Sequence, residues 1–196
     1  MERFRSPALR MLLATALAVA ASVAVLRIGA AVAAEGSPAA RAAALRVERL
    51  IQHNPGAEQV APNEVRLKSG AVVSFPMAGV ADEKCAYEDL CLFEHANFGG
   101  ERIRFTFCFL YVLKFDKLSD GRLWSTQVSS FINRHKSGTW AYIWNAGGSA
   151  PEAFGSAKWE LLNASRASAA DAPPQQMASV PWNDRAEIVR PCPSLE

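Results

Sequence analysis

The feature that most constrains this chain is an internal repeat. Trp124-Ser125-Thr126-Gln127-Val128-Ser129-Ser130-Phe131 aligns without a gap on Trp182-Asn183-Asp184-Arg185-Ala186-Glu187-Ile188-Val189. Each copy opens on tryptophan, continues with polar residues and ends on an apolar strand residue. Phe93-Glu94-His95-Ala96-Asn97-Phe98-Gly99-Gly100 lies upstream of the first copy, and Tyr142-Ile143-Trp144-Asn145-Ala146-Gly147-Gly148 lies upstream of the second. Self-similarity of this kind reads as two copies of one structural unit.

The unit is β-rich. From Cys85 onward, strand-like runs at 89–93, 102–109, 128–133, 139–144, 158–162 and 187–190 are punctuated by Gly, Asn and Ser, with no long amphipathic helix between them. Short strands with frequent turn signals predict an antiparallel sandwich. Residues 163–176, rich in Ala and Ser and closing on Pro173-Pro174, read as an insertion outside the core. Ahead of the repeat, Ser37 and Pro38 supply an N-cap and a first-turn proline for a helix ending at Asn54-Pro55-Gly56. Its apolar residues Leu45, Val47, Leu50 and Ile51 form a partial stripe that predicts weak docking. Alternation over 59–67, a turn at Lys68-Ser69-Gly70 and alternation over 71–76 predict one β-hairpin.

An aromatic-Glu-x-x-x-Phe-x-Gly pattern at Phe93-Glu94 through Phe98 and Gly100, with a later Trp-led stretch ending Ser129-Ser130, resembles the Greek-key motif of βγ-crystallins. Together with Cys85 and Cys91 just ahead of the motif and Cys108 after the next strand, it looks most like the secreted βγ-crystallin-like peptidase inhibitors of the Streptomyces metalloproteinase inhibitor type. The likeness covers Cys85 to about Cys192. It implies a βγ-crystallin-like Greek-key sandwich, an extracellular peptidase as partner and inhibition by occlusion of the peptidase cleft. The motif also has a physical reading. Phe93 and Phe98 can stack over a hairpin turn, Gly100 permits backbone angles closed to other residues, and Ser130 or Ser129 can bond back to the folded hairpin. The second copy departs from the pattern. Ala146 stands where Phe98 stands, and Glu187 and Ile188 replace the clasp serines, so this motif reads as degenerate.

Residues 1–34 read as a signal peptide. Three arginines in the first ten residues precede an Ala/Leu/Val run, and small residues follow up to Ala33 and Ala34. The leader takes four of the 21 basic and one of the 19 acidic residues, leaving 17 against 18 and a net charge of −1. The basic character therefore belongs to the leader, which removes the argument for a nucleic-acid or membrane-surface partner. Residues 35–84 form the helix and hairpin segment, and residues 85–196 the doubled Greek-key domain. Cys85, Cys91, Cys108 and Cys192 all lie in the exported part, where an even count favours two disulfides. Three connectivities remain open. Zinc is disfavoured because no C-x-x-C pair occurs and His53, His95 and His135 are not spaced as ligand partners.

No cofactor is expected, with calcium the one candidate ion. In calcium-binding relatives two (Asn/Asp)-(Asn/Asp)-x-x-(Ser/Thr)-Ser stretches exchange ligands. Here one mixed site, using Asp184 and Ser129, survives on paper, and the other lacks its acidic residue. The chain is not expected to be an enzyme. No G-x-S-x-G stretch, phosphate loop or dinucleotide fingerprint is present, and the acidic residues Glu83, Glu88, Asp89, Glu94 and Glu101 read as a solvated surface group. Trp140, Tyr142 and Trp144 alternate and are expected to face the core. A calcium-stabilised envelope domain and a wall-binding or antimicrobial module are the rival functions. Residues 109–123 and the loop before Trp182 are the candidate inhibitory segments.

Overall fold

The computed structural model describes residues 37–76, 84–147, 159–168 and 172–192. Residues 1–34, read above as a signal peptide, and Glu83 lie outside the described residues. Among the described residues the chain is mainly β, with two antiparallel sheets and one α-helix.

Helix α1 spans Pro38–His53, with the Ser37 hydroxyl accepting from the Ala40 N–H and proline in the first turn. Its buried stripe is Ala43, Val47 and Leu50, spaced i, i+4, i+7 as one helical face requires. Leu45, expected on that stripe, is 54% exposed. Docking is firm rather than weak. Val47 and Leu50 enter the main core, and buried Asn54 ties the helix end to a distant loop. Its amide donates to the Leu50 and Lys117 carbonyls at 2.8 and 3.0 Å, and its carbonyl accepts from the Lys117 N–H at 2.8 Å.

The expected single hairpin is three strands: β1 Glu58–Ala61, β2 Glu64–Arg66 and β3 Val72–Ser74. Pro62-Asn63 breaks the first run into a tight turn, since proline cannot continue a strand ladder. The Asn63 amide then donates to the Phe75 carbonyl at 2.8 Å, closing the turn onto the next strand.

The remaining strands are β4 Leu90–His95, β5 Gly99–Phe105, β6 Tyr111–Val112, β7 Ser130–Asn133, β8 Trp140–Asn145, β9 Glu160–Arg166, β10 Gln175–Met177 and β11 Ile188–Pro191. The larger sheet has the order β1-β2-β3-β5-β4-β7-β10, and the smaller β6-β11-β8-β9. Through the β3–β5 pairing the N-terminal strands continue the larger sheet. The third strand of each unit changes sheets. β4, β5 and β7 share the larger sheet while β6 pairs with β11 in the smaller, and β8, β9 and β11 share the smaller while β10 pairs with β7 in the larger. Both ends of 163–176 therefore belong to the sheets, with residues 169–171 outside the described residues. β9 runs on to Arg166, and β10 forms the edge beyond β7. The Ala/Ser composition hid both strands, because pairing context rather than propensity makes them.

Between the sheets lies one apolar core that includes Leu90, Leu92, Ile103, Phe105, Trp124 and Ile143. Strand β4 is buried on both faces. Its outward residues Cys91 and Phe93 pack with Cys85, Ile132 and half-buried Phe98 in a second, smaller cluster.

Candidate binding surfaces

The residues singled out for the motif converge on the β4–β5 hairpin. Phe93 and Phe98 meet edge to face, with ring centroids 5.6 Å apart. The Ser130 hydroxyl donates to the His95 carbonyl at 2.7 Å and accepts from the Phe98 N–H at 3.1 Å, clasping the folded turn to β7. Gly100 has φ +77°, and a Cβ there would lie 2.7 Å from Glu94 Oε2. Only glycine suits that position. Cys85–Cys91 forms the bridge within this outer cluster, and Cys108–Cys192 forms the second.

Three of the acidic residues around this hairpin are not solvated, whereas Glu88 keeps a partly exposed side chain. Asp89, Glu94 and Glu101 are buried. Asp89 accepts the Thr106 hydroxyl at 2.6 Å, Glu94 accepts the Glu101 N–H at 3.1 Å and pairs with Arg122, and Glu101 accepts the Ser119 N–H and hydroxyl. Burial pushes the Glu101 carboxyl above its ordinary value, against the lowering effect of the Ser119 bonds. Each carboxylate thus has a bond that holds loops in place, which gives it a structural part.

The segment 109–123 is not one open loop. It contains β6, and its residues Leu113 and Leu118 are fully buried. What protrudes is the β5–β6 connection. Phe107 is 57% and Phe109 61% exposed, their rings 5.8 Å apart, and Phe115 is 69% exposed. The connection leaves the larger sheet at Phe105 and enters the smaller at Tyr111, and Cys108 at its centre is bridged to Cys192 just beyond β11. The Tyr111 hydroxyl donates to the Phe107 carbonyl at 3.3 Å, and desolvation raises that phenol to about 12. The ridge is thus pinned at both ends and in the middle. Beside it a cleft of about 440 Å³ is lined by Leu110, Phe115, Ser69 and Asp116. Burial raises the Asp116 carboxyl to about 6, although the Ser69 hydroxyl donates to it at 3.0 Å. The sequence signal for the ridge is the alternation of aromatics at 105, 107, 109 and 111 across the third cysteine. The other candidate, the stretch before Trp182, is occupied by β10 and by buried Val180.

Asp184 and Ser129 are brought near one another through the backbone. The Asp184 N–H donates to the Val128 carbonyl at 3.2 Å, with Asp184 at φ +61°, and the Ser129 N–H donates to the Phe93 carbonyl at 3.0 Å. The Asp184 carboxylate accepts the Asn183 amide at 2.7 Å and lies within the field of Arg122. Among the described residues no group of three or more His, Cys, Asp or Glu is placed to hold a metal ion.

Trp140, Tyr142 and Trp144 do not face the core. Ala141 and Ile143 do, at 1% and 2% exposure, and strand alternation places the three aromatics on the outer face. Their rings lie near parallel, 18° and 19° apart, with centroids 6.1 and 5.4 Å apart, and Trp159 adds a tilted fourth ring 6.1 Å from Trp144. Among the described residues no helix is long and apolar enough to cross a membrane. Comparison with protein-family models, with curated proteins and with solved structures finds no match to this chain.

Proposed function

We propose that this chain is a secreted peptidase inhibitor-like protein with a disulfide-braced, βγ-crystallin-like doubled Greek key, and that the Phe107–Phe109 ridge is the segment that occludes a peptidase cleft. The observation that carries this reading is a solvent-exposed phenylalanine pair held rigid by two strand pairings and by the Cys108–Cys192 bridge. A loop already held in its bound shape loses less entropy on binding. Burying an exposed Phe contributes about 1.5–3 kcal/mol, enough for one such residue to set affinity. The reciprocal exchange of β6 and β10 and the Ser130 clasp support the doubled Greek key. The family resemblance supplies the target class. Two disulfides fit an oxidising, extracellular setting.

The test is titration of purified protein against a thermolysin-like metallopeptidase and a subtilisin-like serine peptidase. Inhibition of either at micromolar protein is expected, weakened by about tenfold or more in Phe107→Ala and Phe109→Ala. No inhibition of either enzyme overturns the functional reading and leaves the architecture untouched.

A further inference from the structure

A second recognition surface lies where the two sheets part, at strands β9 and β10, on elements separate from the phenylalanine ridge. There a cleft of about 580 Å³ is lined by Trp140, Asn163, Ser165, Gln175 and Gln176, with Arg166 as its single charged side chain among the described residues. Its volume falls in the range of small-ligand sites, about 300–1,000 Å³. Arg166 is exposed and donates from Nε to the Gly138 carbonyl at 3.3 Å. Apart from Arg166, the described lining offers mainly amides and hydroxyls, which both donate and accept.

Two observations point to a ligand. The amide nitrogen of Asn163 is buried without a hydrogen-bond partner, and a buried donor left unpaired is destabilising unless something supplies an acceptor. Trp140 is the terminal ring of the Trp140–Tyr142–Trp144 stack. Tyr142, in the middle, has a ring neighbour on each side. Trp140 has one among the described residues, and it also lines the cleft. The stack fixes the orientation of Trp140, and an indole held in place beside neutral hydrogen-bonding groups matches the two faces of a sugar: apolar C–H above and below the ring, hydroxyls at its edge.

We propose that this cleft binds a segment of neutral glycan. Trp140 stacks on one sugar ring, and the Asn163, Gln175 and Gln176 amides pair with hydroxyl or acetamido groups.

The experiment is retention of purified protein on insoluble chitin, insoluble β-1,3-glucan and cellulose, followed by calorimetric titration with soluble oligosaccharides of whichever polymer retains it. Retention on at least one polymer is expected, and the three arms separate acetamido from hydroxyl recognition. Trp140→Ala should lower affinity by about tenfold or more. The Gln175→Ala/Gln176→Ala double variant, altered only at exposed side chains, should do the same while keeping the wild-type melting curve. Phe107→Ala should bind as the wild type does. Retention on none of the three polymers overturns the proposal, as does retention that neither the tryptophan variant nor the glutamine variant reduces. Peptidase inhibition is read separately in the same variants, so failure of one site is distinguishable from failure of the other.

Discussion

The β4–β5 hairpin and the β8–β9 hairpin solve one problem with different side chains. In the first unit the Ser129 N–H donates to the Phe93 carbonyl and the Ser129 carbonyl accepts from Val180; in the second the Glu187 N–H donates to the Trp144 carbonyl and the Glu187 carbonyl accepts from Leu113. The backbone pattern is the same. Where Ser130 accepts from the Phe98 N–H, the Glu187 carboxylate accepts from the Ala146 N–H at 3.0 Å. The missing serine therefore does not remove the clasp; a longer side chain reaches the equivalent turn. The first clasp sits against an edge-to-face phenylalanine pair and a disulfide in a buried cluster.

The two bridges separate the units most sharply. Cys85–Cys91 spans six residues within the first unit, whereas Cys108–Cys192 spans 84 and ties the first unit to the end of the second. Loop-closure entropy makes the long bridge worth about 4–5 kcal/mol and the short one about 2. Cys108→Ala/Cys192→Ala should accordingly show the larger fall in urea midpoint and also weaken peptidase inhibition. Equal losses for the two double variants would mean that packing, not chain entropy, dominates.

Glycine substitutions probe the hairpin turns next. Gly100→Ala meets a left-handed backbone and a Cβ contact below 3 Å, a combination of conformational and overpacking terms that should destabilise by about 3 kcal/mol. Gly147→Ala has φ +60° and nothing within 4 Å, so only the conformational term of about 1–2 kcal/mol applies. A comparable loss at both positions would show that the second turn is as crowded as the first.

Buried acids also divide the halves. Asp89, Glu94, Glu101 and Asp116 are buried, whereas the described acids after Ala141, namely Glu160, Asp184 and Glu187, are exposed or half-buried. Asp116 titrates at about 6 in the folded chain, above its ordinary value of 3.8. The folded state therefore holds its proton more tightly than the unfolded state does. Stability is undiminished below about pH 4, falls as pH rises between the two values, and is lower by about 2–3 kcal/mol above pH 6. Asp116→Asn should flatten that slope in denaturation curves taken across this range, and a slope that survives the substitution would assign it to Glu101, whose carboxyl is shifted in the same direction.

Much of the first unit was legible because its chemistry is local. Phe93, Phe98, Gly100 and Ser130 occupy positions whose backbone and packing needs can be stated without knowing the sheet order. The N-cap at Ser37 was legible for the same reason. What escaped depends on long-range pairing. β10 has Gln175-Gln176-Met177 and no strand pattern, and it exists because β7 offers an edge. Alternation showed that Trp140, Tyr142 and Trp144 share a face, but not which face; Ala141 and Ile143 fill the core between the sheets. The clasp role of Glu187 was hidden because alignment compares side-chain types, and here reach substitutes for identity.

The clasps themselves should differ less than the turns. Ser130 is fully buried with two bonds, so Ser130→Ala leaves the Phe98 N–H short of its acceptor and should lower stability by about 2 kcal/mol. Glu187 is only half-buried, and Glu187→Ala should lower stability by about 1 kcal/mol because water can replace the carboxylate at Ala146. Glu187→Gln keeps an acceptor and should be nearly neutral. If Glu187→Ala proves as damaging as Ser130→Ala, the second clasp is as essential as the first.

Calcium provides the smallest expected effect. A site shared by the two repeats would draw on Asp184 and Ser129, and their backbones are adjacent through the Val128 contact. The charge balance there is unfavourable: Arg122, bound to Asp120 and Glu94, reaches Asp184 with a positive field, while calcium prefers six to eight oxygens, several of them charged. A site whose dissociation constant exceeds the calcium concentration tenfold stabilises by less than about 0.1 kcal/mol. The melting temperature should therefore move by well under about 1 °C between chelator and millimolar calcium. A rise of several degrees, lost in Asp184→Asn, would instead make the two repeats partners in one cation site and turn their divergence into a division of ligands.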